Sequence, residues 1–165
     1  GIVYNKALFD RFSLTIPTTY EEFLSLCATL KENGVTPLGV GGKDLWHFEY
    51  WLNHFLRADI LSTEPDFLAQ CSSGERDWND PLITTMLTHL NDLFRLGYVD
   101  GGWPSTPDGS MAHLLAEEQV AMVFSGKAAV ISTSSATAIF RVRLRTAGSS
   151  RASWVKASMP VLPST

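Results

Sequence analysis

Helices marked at both ends alternate along this chain with short β-type apolar runs, and that alternation restricts it to a layered α/β architecture. Between Pro17 and Gly34, Thr18 is placed to cap a helix while Glu21 reaches back as its capping-box partner. Phe23, Leu26, Cys27 and Leu30 then fall on one face, and Gly34 supplies a left-handed stop. A strand is expected over Pro37 to Val40, ended by Gly41-Gly42. Asp44 then opens a helix carrying Trp46, Phe48, Tyr50, Trp51 and Phe55. Asp80-Pro81 forms a cap and first-turn pair for a helix with Leu82, Met86, Leu90 and Leu93 in register until Gly97. A loop from Tyr98 to Gly109 precedes a further helical pattern begun by Met111, Leu114 and Leu115. Strand-like segments are read at Gly1 to Tyr4, Ala128 to Ser132 and Val155 to Val161. Ser135 to Arg145 is helical in period but β-rich in composition. The expected fold class is α/β, with a sheet covered by helices on both faces.

With 165 residues, the chain has room for one core, so residues 1–165 are read as a single α/β domain. Its formal net charge of −4 and charged fraction of 18% come without any long basic run, which argues against nucleic acid or anionic lipid as a partner. The longest unbroken apolar stretch, Val120 to Phe124, is far short of the roughly 20 residues a spanning helix needs. Two cysteines are too few for a disulfide framework. Cys27 reads as a small core hydrophobe, and a pair with Cys71 stays open. The opening strand without a polar lead-in, and a closing strand that stops just before Pro163-Ser164-Thr165, suggest a piece cut from a longer protein.

Most catalytic and metal-binding patterns fail on inspection. Ser125-Gly126-Lys127-Ala128 lacks both the first glycine of a phosphate loop, where Ala121 stands, and the hydroxyl that would hold magnesium. Asp77-Trp78-Asn79 opens like a calcium loop, but Pro81, Leu82 and Thr88 occupy positions that such a loop cannot spare. The histidines His47, His54, His89 and His113 have no metal-ligand spacing and read as solvated or core-edge groups. Glu117 and Glu118 are adjacent, so on a helix they point about 100° apart and cannot flank one bond as an acid–base pair. Ser132 to Ser135 lie beyond a strand without a nucleophile elbow, and look like hydrogen-bonding groups at a strand end, where α/β sheets bind ligands.

Aromatic residues give the positive lead. A sugar presents apolar C–H faces ringed by hydroxyls, so its site pairs flat indole or phenol surfaces with Asp, Glu, Lys or Ser groups. Lys43, Asp44, Trp46 and Glu49 supply both kinds just after a strand–helix junction. Trp46 and Trp51 are separated by roughly 140° around a helix at about 100° per residue, so they face largely opposite sides. Trp51, with Phe48 and Phe55, is assigned to packing and Trp46 to a cleft.

The order of segments resembles family 1 extracellular solute-binding proteins of ABC importers. The likeness is carried by Gly1-Ile2-Val3-Tyr4-Asn5-Lys6-Ala7-Leu8-Phe9, Pro17-Thr18-Thr19-Tyr20-Glu21-Glu22-Phe23, Gly34-Val35-Thr36-Pro37-Leu38 and Gly41-Gly42-Lys43-Asp44-Leu45-Trp46. It continues in Ser73-Gly74-Glu75, Trp78-Asn79-Asp80-Pro81, Gly97-Tyr98 and Phe124-Ser125-Gly126-Lys127-Ala128-Ala129-Val130. The resemblance implies one lobe of a two-lobe periplasmic-binding-protein-like fold, the second lobe, with the N-terminal lobe of the parent chain missing. It further implies carbohydrate binding without catalysis or cofactor, membrane permease subunits as partners, and an extracytoplasmic location, in the periplasm or anchored on the cell surface as a lipoprotein.

The implied ligand set is Trp46, Asp44, Lys43, Glu49, Trp103, Ser134 and Ser135. Many members resembling this chain place a Gly-x-Trp shortly after the Gly-Lys-Ala-Ala strand, where this chain reads Ser134-Ser135-Ala136. A subset resembling glycerol-phosphate receptors has a Ser-Ser pair there. In the preferred alignment Gly126-Lys127 precedes the strand. In the alternative, Val120-Ala121-Met122 is the strand and Ser125 to Ala128 replace the Gly-x-Trp turn. Two other functional classes stay in view: a glycoside-modifying α/β enzyme domain and a structural α/β domain without ligand.

Overall fold

The computed structural model describes residues 1–124 and 137–140. Strand β1 (Ile2–Asn5) runs directly into the short helix α1 (Lys6–Arg11). Asn5 makes that junction: its Oδ1 accepts from the Leu8 amide at 3.2 Å and its Nδ2 donates to the Leu115 carbonyl at 2.9 Å, so a fully buried amide side chain is paired at both ends. Helix α2 (Tyr20–Glu32) carries the expected capping box, shifted by one residue: Thr19 is the cap and Glu22 its partner. The pairs Thr18/Glu21 and Thr19/Glu22 satisfy the same spacing. The choice falls to the geometry in which the Glu22 carboxylate accepts from the Thr18 amide, the Thr18 hydroxyl and the Thr19 amide together.

Strand β2 (Thr36–Gly39) follows, then α3 (Leu45–Phe55), which continues into a π-helical segment, Leu56–Leu61. Next come α4 (Phe67–Ser73) and α5 (Pro81–Arg95). The latter is capped by Asp80, whose carboxylate accepts from the Leu82 amide at 2.9 Å as the Asp-Pro pair predicts. Two single 3₁₀ turns, Trp103–Ser105 and Asp108–Ser110, lead into α6 (Met111–Ala116) and β3 (Val120–Phe124), and β4 spans Thr137–Phe140.

The sheet has the order β2-β3-β1-β4. β2 and β3 are parallel with Leu38 opposite Met122, while β1 is antiparallel to both β3 and β4. Helices cover both faces. Ile2, Leu38 and Met122 belong to the larger core, with Phe23, Leu30, Trp51, Phe55 and Leu93 from α2, α3 and α5. Val3 and its cross-strand partner Val123 instead pack on Met111 and Leu115 of α6. The expected α/β class with a doubly covered sheet is what the chain adopts.

Two segments differ from the sequence reading. The strand beside β2 is Val120–Phe124, which includes the strand of the alternative alignment; the Ser125 to Ala128 turn of that alignment and the strand of the preferred one lie outside the described residues. The apolar run of β3 buries on both faces at once, as strands between two helix layers do. Within Ser135 to Arg145 the β-rich composition prevails over the helical period at Thr137–Phe140, which pairs along β1. The expected strands at Ala128 to Ser132 and Val155 to Val161 lie outside the described residues.

Cys27 is fully buried in the larger core, as expected, and Cys71 is also a buried free thiol. In the π-helical segment, buried Asp59 accepts from His89 Nδ1 at 2.9 Å, and the His89 ring stacks on Tyr20 at 3.9 Å, joining that segment to α5 and α2.

Candidate functional site

The parallel strands β2 and β3 end side by side, and the chain leaves β2 through Gly41-Gly42 into α3. Ligands of open α/β sheets collect at such carboxyl ends. Three aromatic rings line this corner. Trp46, in the first turn of α3, is 48% exposed and meets Tyr50 edge-on at 5.8 Å. Tyr50 stacks at 5.9 Å on Phe124, the last residue of β3. The i, i+4 spacing of Trp46 and Tyr50 puts both on one helix face, and the register of β3 brings Phe124 under them. Trp51 and His54 approach Phe124 from the inner side, at 5.5 and 5.3 Å. Trp51 is 1% exposed.

Lys43 and Glu49 are exposed, Lys43 just ahead of α3 and Glu49 three residues beyond Trp46 on it. Asp44 begins α3 without capping it. Its carboxylate accepts from the Asp108 amide at 2.8 Å, and its carbonyl accepts from the His47 amide at 2.8 Å. The aspartate therefore ties the loop before α6 to the start of α3. Trp103, in the 3₁₀ turn after α5, packs on a different face of α3: partly buried, it stacks on Phe48 at 6.1 Å and tilts against Phe94 at 5.1 Å. Phe48 is about 200° from Trp46 around α3, so Trp103 is not brought to the Trp46–Tyr50–Phe124 surface. A Cβ on Gly42 would come within 2.2 Å of the Trp103 ring, which lets the turn lie directly on the indole. Ser134 and Ser135 lie outside the described residues.

Sequence reasoning missed His47. It is fully buried, and its two ring nitrogens bond different parts of the chain. The Gly41 amide donates to Nδ1 at 2.7 Å, which leaves Nε2 to carry the hydrogen and donate to the Phe124 carbonyl at 2.8 Å. The ring thereby bridges the ends of β2 and β3. Its immersion in an aromatic helix gave no signal, because spacing along α3 does not reveal partners on two other elements.

His54 is different. Burial holds its imidazolium form off, lowering its pKa to about 4, and its Nε2 and the Trp51 Nε1 are buried without hydrogen-bond partners among the described residues. Among the described residues, no group of three or more His, Cys, Asp or Glu side chains is placed to hold a metal ion.

The doubly covered mixed sheet, with an aromatic surface at the ends of its parallel strands, resembles one lobe of the periplasmic-binding-protein-like fold found among solved sugar-binding proteins. Residues 1–141 match the bacterial extracellular solute-binding proteins, and the chain belongs to that family. It is 28% identical over 131 residues to an ABC transporter extracellular-binding protein of Pyrococcus horikoshii, covering 78% of this chain and 27% of the relative. To a multiple sugar-binding protein of Streptococcus mutans it is 24% identical over 132 residues, covering 76% and 30%. The chain thus spans less than a third of the length of these curated relatives. Among solved structures, a sugar transporter protein of Bacillus licheniformis in complex with stachyose shares the fold with a TM-score of 0.76 at 16% identity, over 90% of this chain and 40% of that one.

Proposed function

We propose that this chain is the C-terminal lobe of a carbohydrate receptor serving an ABC importer, and that the N-terminal lobe of the same parent chain supplies the facing wall of the cleft. The observation that carries this reading is the Trp46–Tyr50–Phe124 surface at the ends of β2 and β3. Exposed Trp46 and half-buried Tyr50 and Phe124 offer stacking area to the C–H face of a pyranose, and the exposed Lys43 and Glu49, three residues either side of Trp46, would meet hydroxyls. Asp44 contributes by fixing the loop at Asp108 rather than by contact with sugar. In the same reading the hydroxyls of Ser134 and Ser135, which lie outside the described residues, add hydrogen bonds to the ligand.

The receptor works outside the cytoplasmic membrane, in the periplasm or anchored at the cell surface, and hands sugar to permease subunits. It needs no cofactor and leaves glycosidic bonds intact. Titration of the intact receptor with a panel of neutral oligosaccharides, stachyose included, should give saturable binding by calorimetry and no cleavage products by chromatography. Turnover of any glycoside would favour an enzyme instead, and failure of every sugar to bind would leave a structural domain.

A further inference from the structure

We infer that the Asp108 carboxylate is a ligand residue of the aromatic surface, an acceptor for two neighbouring hydroxyls of a neutral sugar. The inference rests on reading that surface as a sugar site. All 17 Asp and Glu residues of the chain fall within the described residues, and among them Asp108 alone is partly buried yet accepts no hydrogen bond. The other carboxylates withdrawn from solvent, Asp44, Asp59, Glu64, Asp80, Asp92 and Glu118, each accept from an amide, a histidine or an arginine. Native folds pair such groups, so one left open calls for a partner from outside the chain. Asp108 is not spent as a helix cap, since neither the Asp108–Ser110 turn nor α6 has a side-chain cap. Its side chain is 36% exposed, which leaves the carboxylate within reach of a ligand.

The backbone, not the carboxylate, fixes where Asp108 stands. The Gly42 amide donates to the Trp103 carbonyl at 3.0 Å, the Lys43 amide to the Thr106 carbonyl at 3.1 Å, and the Asp108 amide to the Asp44 carboxylate at 2.8 Å. A Cβ on Gly41 would lie 2.8 Å from Asp108 Cα, so loop and turn are in direct contact. The buried His47 ring is the common neighbour of the site. Asp108 Oδ1 stands 3.7 Å from its Nε2, beyond hydrogen-bond reach, and the same Nε2 donates to the Phe124 carbonyl at 2.8 Å. Trp46 and Tyr50 meet the ring edge-on at 6.0 and 5.9 Å. Asp108, Trp46, Tyr50 and Phe124 are thus grouped around one histidine that is itself sealed from solvent. A pyranose laid on the aromatic rings meets this carboxylate at its rim. Two carboxylate oxygens suit two adjacent hydroxyls, and such charge-assisted bonds are about twice as strong as neutral ones. No internal bond of the carboxylate has to break first, and the loop is already held in place.

Calorimetric titration of the intact receptor with stachyose and the other neutral oligosaccharides, for wild type, Asp108→Ala and Asp108→Asn, tests the assignment. The alanine variant should bind at least about tenfold more weakly, the scale of a lost hydrogen bond to a charged group. The asparagine variant keeps one acceptor oxygen and should fall between the two. Unfolding midpoints without sugar should match the wild type's, because the amide that bonds Asp44 belongs to the backbone and survives both substitutions. Singly deoxygenated forms of the tightest-binding sugar then identify the contact. Removing a hydroxyl that Asp108 accepts from should weaken binding by about tenfold in the wild type and leave Asp108→Ala unaffected. Unchanged affinity in Asp108→Ala overturns the inference and leaves the proposed function standing. So does a loss of affinity that is independent of every sugar hydroxyl, or one matched by an equal loss of stability, since either marks a role in the fold through His47. A receptor that binds no sugar refutes the proposed function, and the ligand role of Asp108 with it.

Discussion

Trp46 and Trp51 stand five residues apart in one helix, and their exposures, 48% and 1%, separate them. Removing the buried indole leaves a cavity between α3 and Phe124. Trp51→Ala should therefore cost about 3–5 kcal/mol in denaturant unfolding. Trp46→Ala should leave stability within about 0.5 kcal/mol, yet weaken sugar binding by the intact receptor by about 1 kcal/mol or more, the scale of a lost aromatic contact. The reverse order of melting temperatures, or unaltered affinity, would remove Trp46 from the cleft. His54 gives a second expectation. Its folded pKa of about 4 lies below the value near ~6.5 of an unfolded chain, so the unfolded state binds the proton first. The stability this supplies is complete above about pH 6.5 and is lost as pH falls toward about 4. His54→Phe should flatten the pH dependence of unfolding free energy across that interval, and coincident slopes for the two proteins would count against it. At this scale the sequence distinguished the two tryptophans because helical spacing is local. It concealed His47, whose partners lie 6 and 77 positions away.

At the scale of elements, end signals were read well where the chemistry is contained within one turn. The Asp80-Pro81 start of α5 and the capping box of α2 both form, the latter one residue later than Thr18 and Glu21 suggest. Thr19→Ala should cost about 1 kcal/mol, and Thr18→Ala less, because Thr18 adds only its hydroxyl to a carboxylate already bonded by two amides. Chemical denaturation of the two variants checks the ranking. The turn after β2 has its own sensitivity: Gly42→Ala drives a methyl into the Trp103 ring and should destabilise by about 1–3 kcal/mol, whereas Gly101→Ala meets no neighbour and should be close to neutral. Asp44 shows where local reading stops. The residue type suits a cap, yet its carboxylate is taken by an amide 64 positions away. The π-helical continuation of α3 likewise has no local cause in the residue pattern; Asp59 reaches His89 from it, a pairing between elements far apart in sequence.

At the scale of the whole molecule, one lobe offers a sugar one wall. If the cleft closes between two lobes, the isolated chain should bind at least roughly 100-fold more weakly than the intact receptor, since losing one wall forfeits about 3 kcal/mol of hydrogen bonds and water exclusion. Equal affinity by calorimetry for the two would defeat the two-lobe reading. The sequence by itself determined the α/β class, the ends of α5 and, to within one residue, of α2, the inward faces of α2, α3 and α5, and the family, because capping, periodicity and motif order are written in neighbouring residues. Only the tertiary structure decided which apolar run pairs with β2, that Trp103 packs on Phe48 rather than beside Trp46, and that one buried histidine ties two strand ends together. Those outcomes depend on contacts between elements distant in the chain. Several pairings there satisfy the same local pattern, and only close packing of the whole core selects among them.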